Sequence, residues 1–231
     1  MSTYSLINIC VITLPLILSF DKRVAFFKSW KYIIPSIAIT AMLFIIWDSV
    51  FTFLGVWRFN PIHVGSAHLL GLPLEEVMFF IIVPYASLFI YDVLKEYVKK
   101  DLPERITRYF ATTLIVFLII IATVYHARLY TFICFILLAV TLIIIEYVIK
   151  PDYMGRFFMA YGVILIPFII VNGLLTGTCL DAPVVLYNDS ENMGIKLLTI
   201  PVEDIFYGML LILLNVSVYE KLKNIKAKGN I

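Results

Sequence analysis

The sequence is poor in charged residues, and this absence excludes several classes of protein. Only 15% of its 231 residues are charged and 62% are hydrophobic, whereas a soluble domain has about 25% charged residues. So little polar surface cannot cover a core against water, which excludes a soluble enzyme and a disordered protein. The net charge of +2 leaves no basic excess for phosphate contacts, which excludes a nucleic-acid binder. The composition is that of an integral membrane protein.

Motifs that bind metals or nucleotides are also missing from the sequence. The three cysteines, Cys10, Cys134 and Cys179, form no CxxC pair and no cluster with histidine, and we interpret them as small apolar side chains. The sequence contains neither a GxGxxG motif nor a βαβ stretch, the features that would indicate a nucleotide site. Residues 1–20 lack a basic leader and an A-x-A site, so they are interpreted as a first span rather than a cleaved signal. The sequence therefore predicts neither a metal nor a cofactor.

Seven apolar runs are each long enough to cross a bilayer. They cover residues 4–20, 32–54, 74–94, 108–125, 129–149, 157–175 and 197–219. The fourth and fifth runs are separated only by His126, Ala127 and Arg128, which we interpret as a tight turn; six spans would result if this turn were not exposed. We predict an all-α integral membrane protein, residues 1–231, with a single transmembrane domain of about seven helices.

Positive charge is unevenly distributed between the two sides of this predicted bundle. Of the 18 lysine and arginine residues, 15 fall on the side of the C-terminus. The other three are Arg58, Arg128 and Lys196. The positive-inside rule then predicts a multi-pass protein of the cell membrane with its N-terminus outside and its C-terminus in the cytoplasm. This orientation requires an odd number of spans, which favours seven.

The third and seventh runs begin with the same motif. Pro73–Phe80 (PLEEVMFF) and Pro201–Gly208 (PVEDIFYG) share the pattern P-x-E-[ED]-x-x-[FY], and Tyr91–Lys95 stands at the same offset from its proline as Tyr219–Lys223. We interpret this as a duplication: repeat one at about 1–96, a linking helix at about 105–126 and repeat two at about 129–223. Both motif helices cross in the same direction, so the repeats are predicted to be parallel. Their acidic pairs are then expected to converge on one cavity.

The acidic pairs of the motif are the candidate catalytic residues. Each proline is expected at the first helical position, which places the acids Glu75, Glu76, Glu203 and Asp204 in the first turn. An aromatic residue follows four positions later, on the same helix face, in three cases: Phe79, Phe80 and Tyr207. Two adjacent carboxyls can act as acid and base by sharing a proton, and aromatic rings stabilise cations. Capping of the helix dipole is the structural alternative.

Other polar and aromatic residues are candidates for supporting roles. Asp48, at the outer end of the second span, could orient or deprotonate a group in the cavity, and Asn172 in the sixth span is its predicted counterpart. Trp57, Phe59 and Tyr187 could line a substrate entrance, or anchor the chain at the membrane interface. The loop of residues 176–196 is either a lid or a solvated connector.

The duplicated motif resembles that of the membrane-integral, flavin-independent lycopene cyclases. The resemblance includes Trp57–Pro61 (WRFNP) and the order of the spans, and the chain resembles the fused form of the two-subunit carotenoid cyclases. It implies conversion of the linear ends of lycopene to β-ionone rings, giving γ- or β-carotene, by proton-initiated, non-redox chemistry. The implied roles are leading acids for Glu75 and Glu203, and partners for Glu76 and Asp204. The second copy departs from the pattern at Gly208.

The resemblance also implies the partners of the protein. These are a lipophilic carotenoid within the bilayer and membrane lipid, while association with other carotenoid enzymes or with a second copy is left open. The main alternative is a proton-coupled transporter or channel that uses the duplicated acids. The position of the acids at one leaflet argues against it. A prenyl-transfer enzyme would need paired Asp-rich motifs, which are missing, and an assembly subunit without chemistry is the remaining alternative.

Overall fold

The computed structural model describes residues 1–228, and side chains up to Ile225; the side chains of Lys226 and Lys228, which the charge count includes, lie outside this range. Within residues 1–228 the chain forms seven α-helices, which confirms the prediction of an all-α protein. They are α1 (Thr3–Leu18), α2 (Trp30–Phe53), α3 (Leu74–Tyr97), α4 (Glu104–Val124), α5 (Leu129–Ile143), α6 (Met154–Leu175) and α7 (Glu203–Lys228). A 3₁₀ turn, Phe26–Ser29, precedes α2, and a π-helical turn, Ile144–Ile149, extends α5.

Six of these helices are long and apolar enough to cross a membrane, namely α2 to α7, with α2 and α5 counted together with their adjoining turns. Helices suit the bilayer because all their backbone polar groups are satisfied internally. The first helix has 16 residues and is about 24 Å long, which is shorter than the roughly 30 Å hydrocarbon core. A crossing by α1, and the orientation of the termini, stay predictions.

The turn between the fourth and fifth runs is confirmed. The fourth helix ends at Val124 and the fifth begins at Leu129. The N–H of Arg128 donates to the carbonyl of Tyr125 across the turn (2.8 Å). A connection this short forces α4 and α5 to be antiparallel neighbours.

The motif helices begin differently from the prediction. Short antiparallel hairpins precede them, formed by β2 (His68–Leu69) with β3 (Leu72–Pro73) and by β5 (Lys196–Leu197) with β6 (Ile200–Pro201). The placement of Pro73 and Pro201 at the first helical position was therefore wrong, as was the helical start at 197, because each proline is the last residue of a hairpin. A short apolar hairpin cannot be distinguished from a helix by hydrophobicity alone.

The chain divides into two compact units. Unit 1 contains residues 1–54 and 59–97 and the part of α7 from Leu211 onward. In it, α3 packs against both α1 and α2. Unit 2 contains Gly55–Arg58 and Val98–Leu210. In it, α4 packs against α5 and α6, and the N–H of Asn188, directly after β4 (Val185–Tyr187), donates to the carbonyl of Val56, directly before β1 (Trp57–Phe59) (2.8 Å).

Within unit 1, the C-terminal halves of α3 and α7 exchange equivalent hydrogen bonds. The hydroxyl of Tyr91 donates to Glu220 Oε1 (2.9 Å), and that of Tyr219 donates to Asp92 Oδ2 (2.8 Å). Lys95 Nζ adds an ion pair with Glu220 (2.7 Å). Both tyrosines are buried. These bonds hold the two motif helices together at the end opposite to the acidic pairs.

Removing one of these hydroxyls should destabilise the protein. Tyr219→Phe leaves the half-buried Asp92 without its phenol donor, and the loss of one such hydrogen bond costs about 1 kcal/mol. We expect a lower midpoint of thermal unfolding in detergent, with Tyr109→Phe as the control because Tyr109 is 63% exposed. Equal midpoints for Tyr219→Phe and the wild type would show that the exchanged bonds do not stabilise the fold.

Candidate functional site

The four acids of the motif are buried at the beginning of the two motif helices. The exposed fractions are 9% for Glu75, 7% for Glu76, 0% for Glu203 and 4% for Asp204. Carboxyls are rarely buried to this extent unless they are hydrogen-bonded or functional. We call the surroundings of Glu75 and Glu76, in unit 1, site 1, and those of Glu203 and Asp204, in unit 2, site 2.

In site 1, one oxygen of Glu75 holds the preceding loop and the start of α1. Glu75 Oε1 accepts hydrogen bonds from Ser2 Oγ (2.6 Å), Ser5 Oγ (3.1 Å) and the N–H of Gly65 (2.8 Å). A Cβ atom at position 65 would lie 3.0 Å from this oxygen, so the close approach of the loop favours glycine. Glu75 Oε2 is buried and has no hydrogen-bond partner among residues 1–228.

The second acid of site 1, Glu76, is bonded to a phenol beside aromatic rings. The hydroxyl of Tyr4 donates to Glu76 Oε2 (2.6 Å), and Tyr4 is fully buried. The ring centroids of Tyr4 and Phe79 are 6.3 Å apart, and those of Phe79 and Phe80 are 5.8 Å apart. The predicted aromatic residues of the first motif therefore lie next to the phenol that binds Glu76.

Asp48 is also in unit 1, where it is buried in α2. The same helix provides Phe44, whose ring centroid is 6.0 Å from that of Phe80. The role of Asp48 in orientation or proton transfer stays a prediction. The convergence of the two acidic pairs on one cavity also stays a prediction.

In site 2, Glu203 repeats the arrangement of Glu75. Glu203 Oε1 accepts hydrogen bonds from Thr131 Oγ1 (2.6 Å) and from the N–H of Met193 (2.7 Å), which stands ten residues before it as Gly65 does before Glu75. The other oxygen, Glu203 Oε2, is buried without a hydrogen-bond partner in the part of the chain that the structure describes.

Asp204, the second acid of site 2, is held by three donors. Asp204 Oδ1 accepts from the hydroxyl of Tyr130 (2.5 Å), and Oδ2 accepts from Asn172 Nδ2 (2.7 Å) and the hydroxyl of Tyr187 (2.9 Å). The structure therefore brings the predicted supporting residue Asn172 into direct contact with the acidic pair. Charge-assisted bonds of this kind fix the orientation of a carboxylate.

Four aromatic side chains of unit 2 lie together beside Asp204. They are Trp57, Tyr130, Tyr187 and Tyr207, with ring centroids 5.2 Å apart for Trp57 and Tyr130, 6.0 Å for Tyr130 and Tyr187, and 6.4 Å for Trp57 and Tyr207. Two of these side chains, Tyr130 and Tyr187, donate hydrogen bonds to the carboxyl of Asp204. A cation formed against these rings would be stabilised by their π faces.

Residues 1–94 and 127–222 match the sequence model for lycopene cyclases. The chain belongs to the lycopene cyclase family. It is therefore a multi-pass membrane enzyme of carotenoid cyclisation. No curated protein and no solved structure matches the chain significantly. The two matched segments contain both acidic pairs and leave out residues 95–126, most of which form α4.

The departure of the cyclase from its motif at Gly208 has a packing explanation. A Cβ atom at this position would lie 3.1 Å from the ring of Phe168 in α6. The ring of Phe168 thus occupies the space beside position 208 into which a larger side chain would extend. An aromatic ring is still present, but a different helix provides it.

Sequence reasoning missed the donors on α1 and α5. Tyr4, Ser5, Tyr130 and Thr131 all donate to the acids, yet none was a candidate. A signal was present, because residues 4–7 (YSLI) and 130–133 (YTFI) share the pattern Y-[ST]-x-I. A pattern of four residues in apolar sequence is too short to stand out without the contacts.

The loop of residues 176–196 is tied to the helices around site 2. The N–H of Tyr130 donates to the carbonyl of Glu191 (2.9 Å), and Met193 is bonded to Glu203 as described above. Lys196 Nζ donates to Asp189 Oδ2 (2.9 Å), which holds the pKa of that exposed carboxyl below its usual value. These bonds favour a fixed connector over a lid.

A cleft of about 420 Å³ lies in unit 1 beside site 1. Gly65, Ser66 and His68 border it, together with Thr52 and Phe59. Because the N–H of Gly65 also donates to Glu75, the cleft ends close to the first acid of the motif.

Proposed function

We propose that the cyclase converts the linear ends of lycopene to β-ionone rings at its acidic pairs. A carboxyl protonates the terminal double bond, the neighbouring alkene attacks the tertiary cation, and loss of a proton from the ring creates the new double bond. One proton enters and one leaves, so the reaction is an isomerisation without net redox change. It requires no electron carrier, in keeping with the expectation that no cofactor takes part.

One observation carries this proposal: both sites bury a first carboxyl with one unpartnered oxygen next to a second carboxyl bonded to a tyrosine. A carboxyl oxygen that accepts no protein donor can carry a proton toward a substrate. The adjacent carboxyl, held by a donor, can take a proton back. Recurrence of the pattern in both sites is unexpected if the acids only cap their helices.

The surroundings of the acids also suit a carbocation. Rings lie next to the tyrosine of each site, with Phe79 beside Tyr4 and with Trp57 and Tyr207 beside Tyr130. Burial keeps water from capturing the cation before the ring closes. The substrate we expect is a hydrocarbon that enters from the bilayer, and we keep association with other carotenoid enzymes or a second copy as an expectation.

The test is expression of the full chain in cells that accumulate lycopene, followed by pigment analysis. We expect ringed carotenes, and when isolated membranes receive unlabelled lycopene in heavy water we expect one solvent deuterium in each new ring. Unchanged lycopene, with the protein shown to be folded in the membrane, would contradict the proposal. Proton flux into vesicles containing that inactive protein would then favour the transporter alternative.

A further inference from the structure

The phenols of Tyr4 and Tyr130 are equivalent donors, one in each site. Tyr4 donates to Glu76 Oε2 (2.6 Å) and Tyr130 donates to Asp204 Oδ1 (2.5 Å). Their exposed fractions are 0% and 2%. Each phenol thus binds the second acid of its pair. The first acids, Glu75 and Glu203, instead accept hydrogen bonds from serine or threonine hydroxyls and from backbone N–H groups.

Both tyrosines are fixed at the backbone as well as at the ring. The N–H of Tyr4 donates to the carbonyl of His63 (3.1 Å), and the N–H of Tyr130 donates to that of Glu191 (2.9 Å). The ring of Tyr4 contacts Phe79, and the ring of Tyr130 contacts Trp57. A donor held in this way can define the position of the carboxyl that it binds.

The two acids of a pair therefore have different surroundings. The first acid, Glu75 or Glu203, has the unpartnered oxygen and is bonded to loop residues. The second acid is bonded to a tyrosine that packs against the rings expected to stabilise a cation. This arrangement suits delivery of the proton by the first acid and removal of the last proton by the second.

The position of the base decides which ring isomer forms. The cyclic cation has hydrogen on more than one carbon next to its charged carbon, and the electrons of the broken C–H bond become the new double bond. The carboxylate gains the proton and the cation becomes a neutral alkene, so charge balances. The proton must then return from the second acid to the first before the next turnover.

Building on the proposed function, we infer that Tyr4 and Tyr130 are positioning residues that select the ring isomer. Each does so by holding the carboxyl of Glu76 or Asp204 at one ring carbon. Without the phenol, the carboxyl loses the donor on that oxygen and can shift toward a neighbouring carbon, although Asp204 keeps its bonds from Asn172 and Tyr187 on the other oxygen. Loss of a hydrogen bond to a charged group is then expected to change the ratio of isomers by about tenfold.

The test compares the ring isomers made by Tyr4→Phe and Tyr130→Phe variants of the full chain in lycopene-accumulating cells. We expect the share of rings with a displaced double bond to rise about tenfold in Tyr4→Phe, and to rise less in Tyr130→Phe because Asn172 and Tyr187 still bind Asp204. Ser5→Ala is the matched control for Tyr4→Phe, because Ser5 donates to Glu75, which acts before the cation exists. It should lower the ring yield without changing the isomers. Tyr85→Phe, which removes a phenol bonded to Ser19 outside site 1, should change neither.

An unchanged isomer ratio in both tyrosine variants, with or without a lower yield, would overturn the inference, because a merely structural role lowers only the yield. If a variant does not accumulate, Glu76→Asp and Asp204→Glu move the carboxyl by one methylene and should shift the ratio too. An unchanged ratio in those variants would also overturn the inference. Absence of rings from the wild type would instead show that the proposed function itself is wrong.

Discussion

Glu75→Gln, combined with Glu203→Gln so that neither site keeps its first acid, is expected to stop nearly all ring formation while leaving the fold intact. The glutamine carbonyl can still accept the bonds from Ser2, Ser5 and Gly65, but the side chain can no longer deliver a proton. General acid catalysis contributes about 10²–10⁴-fold to a rate, and we expect a loss of that size. The measurement is the initial rate of ring formation from lycopene in isolated membranes.

Glu146→Gln is the matched control for this loss. Glu146 is also buried, at 6% exposure, but it lies in the π-helical turn after α5, where it forms an ion pair with Arg108 (3.8 Å). Its variant should retain the activity. Wild-type rates in the double variant would remove Glu75 and Glu203 from the acid role, whereas each single variant is expected to keep the rings formed at the other site.

Gly155→Ala adds only a methyl group, but it should destabilise the protein more than alanine at any other described glycine with φ below zero, because the space around Gly155 is the tightest. Gly155 lies in the first turn of α6, where a Cβ atom would be 2.6 Å from the carbonyl oxygen of Leu102 and 3.2 Å from Thr107 Oγ1. Overpacking of this kind costs about 1–3 kcal/mol, and a clash with backbone leaves little room for relaxation. We expect less folded protein in membranes and a lower midpoint of thermal unfolding.

The same helix contains the control for this substitution. Around Gly162, no heavy atom of the described residues lies within 4 Å of the added Cβ position, apart from its chain neighbours and the adjacent backbone of its own helix. Alanine is the better helix former by about 1 kcal/mol, so Gly162→Ala should unfold at the same temperature as the wild type or higher. If Gly155→Ala proved as stable as Gly162→Ala, the close approach of α6 to Leu102 would be refuted.

Much of the fold could be predicted from the sequence, because helices are the way for a single apolar segment to satisfy its backbone in a bilayer. The runs at 32–54 and 157–175 correspond closely to α2 and α6, and the turn at His126 lies where it was expected. The start of α7 could not be predicted, since residues 197–202 are as apolar as a helix but pair in a hairpin.

The candidate site shows the same division between local pattern and long-range contact. The motif acids stood out in the sequence because two adjacent carboxyls interrupt apolar segments twice. The hydroxyls that bind them did not stand out, because Tyr4 and Tyr130 are separated from their acids by more than two helices' length of chain. No local signal connects groups so distant in sequence.

The sequence by itself determined most of the helical segments and that the four motif carboxyls stand within apolar sequence, because both follow from local hydrophobicity. Only the tertiary structure decided which oxygen of each carboxyl accepts protein donors, that Asn172 and Tyr187 join Asp204, and that Phe168 occupies the space beside Gly208. These contacts depend on helix packing and loop geometry. Their physical basis is the match of donors, acceptors and shapes between distant segments, which no single segment encodes.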